Sequence, residues 1–381
     1  MKAREWLSGL WGGRPGPATR HITTVADGLA GGRDNFLLLR LLAASLVIYG
    51  HAPAITGGRG WPDVFVWLGW GSYSGDLAVD VFFVVSGFMI AGSYLRRRHL
   101  ADFLWARLLR IYPAYIVCLL GTAFVLGAAC TSLPLHDYYG SHEVVRYVSK
   151  NVQLGKGLLW ELPGVFTGNP KLAFVNGSIW TLPAEVRMYL WVALAGVLGI
   201  LSRRWCCNLL LAALFVCGLL APAHVPLVPL ASFLRLAGCF ALGVFCCVNR
   251  ERVPVGWWCV AVLAALAWLL HATPLYPFVF ALALTAFVFA FGYASPWLGC
   301  LRFGDYSYGL YLWGYPVQQL VAHLAPRLTP AANILLAWPL AMLLAVLSWH
   351  LIEQPALRLK SLPGAVQAKA RGVFARIRAG T

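Results

Sequence analysis

Runs of about twenty apolar residues recur from residue 36 to residue 352, and nothing else in the chain restricts its fold so strongly. A helix needs about 20 mostly apolar residues to cross a bilayer, because in lipid the backbone N–H and C=O groups must bond to one another. Such runs lie near 36–55, 77–95, 108–130, 177–200, 206–221, 228–248, 255–271, 275–292, 304–325 and 331–352. The expected fold is an all-α integral membrane protein, a bundle of about ten transmembrane helices. Composition points the same way: 60% of the 381 residues are hydrophobic and 12% are charged, a balance soluble domains rarely show.

The arginines orient this bundle. With a cytoplasmic N-terminus, the inner loops carry Arg96, Arg97, Arg98 and Arg107, then Arg203 and Arg204, Arg250 and Arg252, and Arg302, whereas the short outer loops carry Arg59 and Arg327. Cytoplasmic loops collect Lys and Arg, so both termini are expected inside. Residues 1–34 form a basic N-terminal tail, 35–353 the membrane domain, and 354–381 a basic C-terminal tail that lies on anionic headgroups. The outer loop 131–176 is long and polar; it either covers a site or is a solvated connector. No cleaved signal peptide is expected, since no small-residue cleavage site follows the first apolar run.

The formal net charge of +16 does not imply nucleic acid, because the cations sit in short clusters between apolar runs and not on one patch. Ten cysteines fall mostly within those runs with no CxxC pair and no Cys/His ligand spacing, so they read as small apolar helix residues and no metal site is expected.

Ionisable groups within membrane runs are costly, about 2.5–3.5 kcal/mol at a helix centre on insertion scales, so each is a functional candidate. Arg40 and His51 stand in the first run, eleven positions apart; a helix puts them within roughly 20° of one face and about 16 Å apart along its axis. They mark two depths of one polar path, or else a snorkelling arginine and a histidine bonded to a backbone carbonyl. In "DLAVDVFFVVSGFMI", Asp76 and Asp80 share a face near the outer side. Asp80 either orients the His51 imidazole or is an anion at a helix N-terminus. Arg107 and Arg110 share a face in "WARLLRIYPAY" and suit a phosphorylated ligand, with plain inner-side basicity as the alternative. Glu185 follows Pro183 and shares a face with Tyr189, a buried carboxyl beside a hydroxyl. Arg187, Arg235, Asp305 and Glu353 complete the set.

Taken in order, "NFLLLRLLAASLVIYGHA", "DLAVDVFFVVSGFMI", "RLLRIYPAY", "GSIWTLPAEVRMYL", "YSYGLYLWGYPV" and "EQPALR" resemble the signature segments of the acyltransferase-3 family of membrane-bound O-acyltransferases, over about residues 35–358. The resemblance implies an enzyme that transfers an acyl group, usually acetyl, from cytoplasmic acyl-CoA to a sugar hydroxyl of a surface or exported polysaccharide or lipid-linked glycan. It also implies a bacterial inner-membrane location, with acetyl-CoA as donor substrate and no permanently bound cofactor. Arg40 and His51 match the family's Arg/His pair, Arg107 and Arg110 its basic segment, Glu185 the acid of its tryptophan-rich segment, Ser86 the "SGF" serine, Tyr308 the tyrosine of the ninth helix and Glu353 the terminal acid. With Asp80 added from its depth beside His51, the expected catalytic residues are His51, Arg40, Asp80 and Glu185, and the expected acyl-CoA contacts are Arg107, Arg110, Ser86 and Tyr308. Many members carry a histidine where this chain has Gly314. Two other readings stay open: a transporter or flippase for a lipid-linked sugar, and an acyltransferase whose acceptor is a lipid, a glucan or a metabolite.

Overall fold

The computed structural model describes residues 22–58, 63–155, 157–170, 173–220, 231–298 and 304–361. Arg59, Lys156, Lys171 and Arg302, with Arg4, Arg14, Arg20, Arg371, Arg376 and Arg378 of the tails, lie outside the described residues. Among the described residues the fold is helical with no strand, only two isolated bridge pairs, Thr24 with Pro254 and Thr131 with Val165.

The principal helices are α1 (Val25–Gly31), α2 (Phe36–Thr56), α3 (Ser74–Arg97), α4 (Leu100–Leu120), α5 (His142–Val152), α6 (Leu182–Val197), α7 (Arg204–Leu220), α8 (Ala231–Val248), α9 (Trp257–Leu269), α10 (Tyr276–Phe289), α11 (Ser307–Leu324) and α12 (Pro330–Ser348). Five stretches are long and apolar enough to cross a membrane: α2, α3, α4 with its extension to Cys130, α10 with its extension to Ala294, and α12 with its extension to Ser361. α7 and α9 are shorter apolar helices. Side chains such as Trp205, Leu209, Trp258 and Leu269 turn outward and are more than half exposed, the apolar surface a lipid-facing helix needs.

α3 is the axis of the bundle. Its most apolar window is 83% buried in the protein, against 28–44% for the other long helices. It crosses α8 with glycine on each side: a Cβ at Gly87 would strike the Phe240 carbonyl, and one at Gly243 would strike that of Val84. Small residues let two backbones touch where lipid gives helices no hydrophobic reason to associate. α11 packs between α2 and α12, and the fully buried Gln318 donates to the Ile48 carbonyl (2.8 Å) and to Asn333 (3.1 Å), linking all three.

One region differs from the sequence expectation, and a second gains detail that the sequence left open. α4 starts at Leu100, eight residues before the apolar run, because the His99 side chain caps the Asp102 N–H; Arg107 and Arg110 therefore stand two to three turns inside a helix and not at its head. The 131–176 segment is a folded piece. Tyr138, Tyr147 and Phe166 are fully buried, Asn151 holds Leu159 through two bonds (2.8 and 2.9 Å), and Asn169 donates to Gln319 of α11.

Candidate active site

Four elements distant in sequence bring their charges to one place. Arg40 leaves the first turns of α2, and its Nη1 donates to Asp305 Oδ2 at 2.6 Å. Arg110 of α4 donates through Nη2 to the same oxygen (2.7 Å) and through Nη1 to Glu353 Oε2 (3.0 Å). Asp305 precedes α11, where the Ser307 hydroxyl donates to its other oxygen (2.6 Å); Glu353 ends the π-helical turn after α12 and accepts from Ser348 (3.0 Å). Both carboxylates are 2% exposed, so the two arginines are charges already balanced within the protein. Tyr308 lies beside Arg110, whose guanidinium carbon is 5.4 Å from its ring, and donates to the Ile111 carbonyl (3.0 Å).

Arg107 is placed differently. It stands one helical turn before Arg110, over the rings of Tyr189 and Phe103 at 5.9 Å each. Its buried Nε has no hydrogen-bond partner among the described residues. Tyr189 of α6 donates to Glu185 one turn earlier, and Ser86 of α3 lines the same cavity. A positive group thus faces aromatic rings and a tyrosine hydroxyl, with its Nε–H unpaired.

Six of the eight residues expected from the sequence line a single cavity: Arg40, Ser86, Arg107, Arg110, Glu185 and Tyr308. Phe82 and Tyr311 form part of its wall, and the Tyr311 hydroxyl is held by Thr181 and the Ser178 carbonyl, both at 2.6 Å. Lys360 also lines it. Sequence reasoning put Lys360 in a surface tail; in the structure residues 354–361 fold back under α4, where Trp105 donates to the Leu359 carbonyl (2.9 Å), and no local signal announces that return.

His51 and Asp80 are not among the residues lining this cavity. His51 sits in α2 eleven residues beyond Arg40, about 16 Å along a straight helix, its ring edge-on to Tyr315 of α11 at 5.0 Å. Just before it, Gly50 admits the start of α3: a Cβ there would lie 2.6 Å from Ser74 Oγ and 2.7 Å from the Gly75 nitrogen. Asp80 is committed to Arg235 of α8, whose Nη1 donates to Asp80 Oδ2 and Nη2 to Asp76 Oδ1, each at 2.6 Å. The sequence shows Arg235 as one more buried charge; nothing in its spacing says that it clamps two aspartates of α3.

Among the described residues no three His, Cys, Asp or Glu side chains converge as a metal site requires. The cavity's cations and hydroxyls suit a ligand that carries anionic and carbonyl oxygens.

The sequence model of a family described as "Acyltransferase domain" matches residues 34–352. The O-acetyl transferase of Shigella phage Sf6 is 27% identical over 330 residues, covering 83% of this chain and 93% of that protein. Nodulation protein 10 of Rhizobium leguminosarum bv. viciae is 27% identical over 387 aligned residues, 91% of this chain and 97% of that protein. No solved structure matches the chain significantly.

Proposed function

The chain belongs to this acyltransferase family and is an acyltransferase, and from that premise we propose that it moves an acetyl group from cytoplasmic acetyl-CoA to a sugar hydroxyl of an exported polysaccharide or lipid-linked glycan. The relative named O-acetyl transferase supports acetyl. The observation that carries the reading is the contrast between Arg107 and its neighbours: Arg40 and Arg110 are balanced by Asp305 and Glu353, whereas Arg107, lining the same cavity, has no carboxylate partner among the described residues and leaves its buried Nε–H unpaired. A buried cation in that state favours an anionic ligand, and the phosphates of a coenzyme thioester supply one.

In this reading ten of the helices cross a bacterial inner membrane, both termini are cytoplasmic, and the cavity is the inner end of the path. The acetyl-CoA phosphates bind at Arg107, with Ser86 and Tyr308 along the wall, and the pantetheine arm follows α2 toward His51. There the glycan hydroxyl attacks the thioester carbonyl while the imidazole takes its proton. The new C–O bond forms, the C–S bond breaks, and the departing thiolate takes the proton back from His51. Glu185 keeps the Tyr189 hydroxyl facing the cavity. Arg40, held by Asp305, fixes the inner end of α2 and so the depth of His51. Asp80 acts on the outer side through Arg235, as part of the frame that receives the acceptor.

The test is transfer of radiolabel from acetyl-CoA to glycan in proteoliposomes of the purified full chain. His51→Ala should lower ester formation by about two orders of magnitude or more, the usual contribution of a general base, with the melting temperature unchanged. Wild-type labelling by a folded His51→Ala protein sinks the assignment; label that crosses the membrane without forming an ester sinks acyl transfer itself.

A further inference from the structure

A second basic cleft, separate from the cavity, is built where α1, the end of α3, the start of α7 and the turn after α8 meet. Arg96 and Arg98 come from the end of α3, Arg204 from the start of α7, and Arg250 from the turn after α8. Among the described residues of the lining the one carboxylate, Glu251, is paired with Arg204 at 2.7 Å. Four positive charges therefore face one negative charge. Leu29, Leu95 and Val248 give the cleft an apolar floor, and its volume of about 710 Å³ falls within the range of small-molecule sites.

The roof is part of the fold. The Thr24/Asp27 capping box starts α1, and backbone bonds from Val25 to Val253 (3.1 Å), Ala26 to Arg250 (2.9 Å) and Val255 to Thr23 (2.9 Å) fasten it to the turn after α8. Arg98 ends α3 at φ 49°, a left-handed position glycine adopts more easily, and its Nε donates to the Leu95 carbonyl (3.3 Å), which holds the guanidinium at the cleft. Inner-loop arginines that only satisfy membrane orientation need not converge. These do, from three loops, around one roofed cleft.

We propose that this cleft binds a phosphate mono- or diester, supplied by the headgroup of an anionic phospholipid. Guanidinium groups are matched to phosphate oxygens. The apolar floor and the outward-facing Leu198 and Trp205, 63% and 68% exposed just before Leu201 and just after Arg204, point to the lipid as the source over a free phosphate. The site is independent of the acyl-transfer reading.

The test uses the full chain in a neutral detergent, titrated with phosphatidylglycerol, phosphatidylcholine or inorganic phosphate, with bound lipid read by native mass spectrometry and stability by melting temperature. Phosphatidylglycerol should bind at least tenfold more tightly than phosphatidylcholine and raise the melting temperature. Arg98→Gln and Arg250→Gln should each weaken that preference about fivefold, the effect expected of one cation at an anionic lipid surface. Glu251→Gln should strengthen it, which keeps the test decisive if an arginine variant fails to fold. Displacement of the lipid by millimolar phosphate makes a free phosphate group the ligand of the same site; no displacement makes it the lipid. Equal binding of the two lipids, or a preference unmoved by all three substitutions, overturns the proposal.

Discussion

Arg107 and Arg110 stand three residues apart on one helix face, yet their surroundings give them opposite work. Arg110 joins Asp305 and Glu353, both almost completely buried, so Arg110→Gln leaves two buried carboxylates short of a counter-charge. Removing one partner of a buried pair typically lowers stability by about 3–5 kcal/mol, and thermal unfolding of the Arg110→Gln protein should show a loss of that size. Arg107→Gln removes no carboxylate's partner. It should leave the melting temperature nearly unchanged while raising KM for acetyl-CoA roughly tenfold to a hundredfold, the worth of a charge-assisted hydrogen bond of about 1.5–3 kcal/mol. Initial rates against acetyl-CoA concentration measure this, and an unaltered KM would remove Arg107 from the donor site. These candidate residues are visible in the sequence because a charge in an apolar run stands out. Their partners are not: Asp305 lies 265 positions from Arg40, and Glu353 lies 243 from Arg110.

At the scale of helices, the apolar runs and the observed elements coincide closely from α2 to α12, since the need to bond the backbone internally acts locally and leaves its mark on each run. The exceptions have identifiable causes. α4 is longer at its start because of the His99 cap, and the 131–176 segment is folded because tyrosines and asparagines give a polar-looking stretch its own buried anchors. Gly314 shows what an element can demand of one position. A Cβ there would lie 2.9 Å from Ile48 Cγ1, so α11 meets α2 at a distance that only glycine permits. Gly314→His, which puts an imidazole at this contact, should therefore overpack it and destabilise the protein by about 1–3 kcal/mol. Coupling it with Ile48→Ala should recover part of that loss in thermal unfolding. A Gly314→His protein as stable as the parent would mean that α2 and α11 can separate, and would reopen a place for a second imidazole near His51.

For the whole molecule, arginines from the end of α3, the start of α7 and the turn after α8 line one cleft, while His51 lies eleven residues beyond Arg40 along α2, whose partner α11 is tied to the 131–176 segment through Gln319. That polarity predicts the result of labelling intact cells with a membrane-impermeant maleimide. Ser149→Cys, exposed on α5, should react above the parent's own background, and Ser202→Cys, exposed between α6 and α7, should react only after the membrane is opened. The reverse pattern would invert the bundle and detach the cavity from a cytoplasmic donor. By itself the sequence determined that the chain is helical, where most helices run, and which side chains carry charge into the apolar region, because hydropathy and helical period are properties of neighbours along the chain. The tertiary structure alone decided which of those charges are spent on one another, that Asp80 pairs with Arg235, and that the Arg107 Nε is left unpaired among the described residues. The ion pairs of Arg40, Arg110 and Arg235 are made across helix contacts between residues 155–265 positions apart, and such contacts depend on where glycines let helices touch, which no local pattern records.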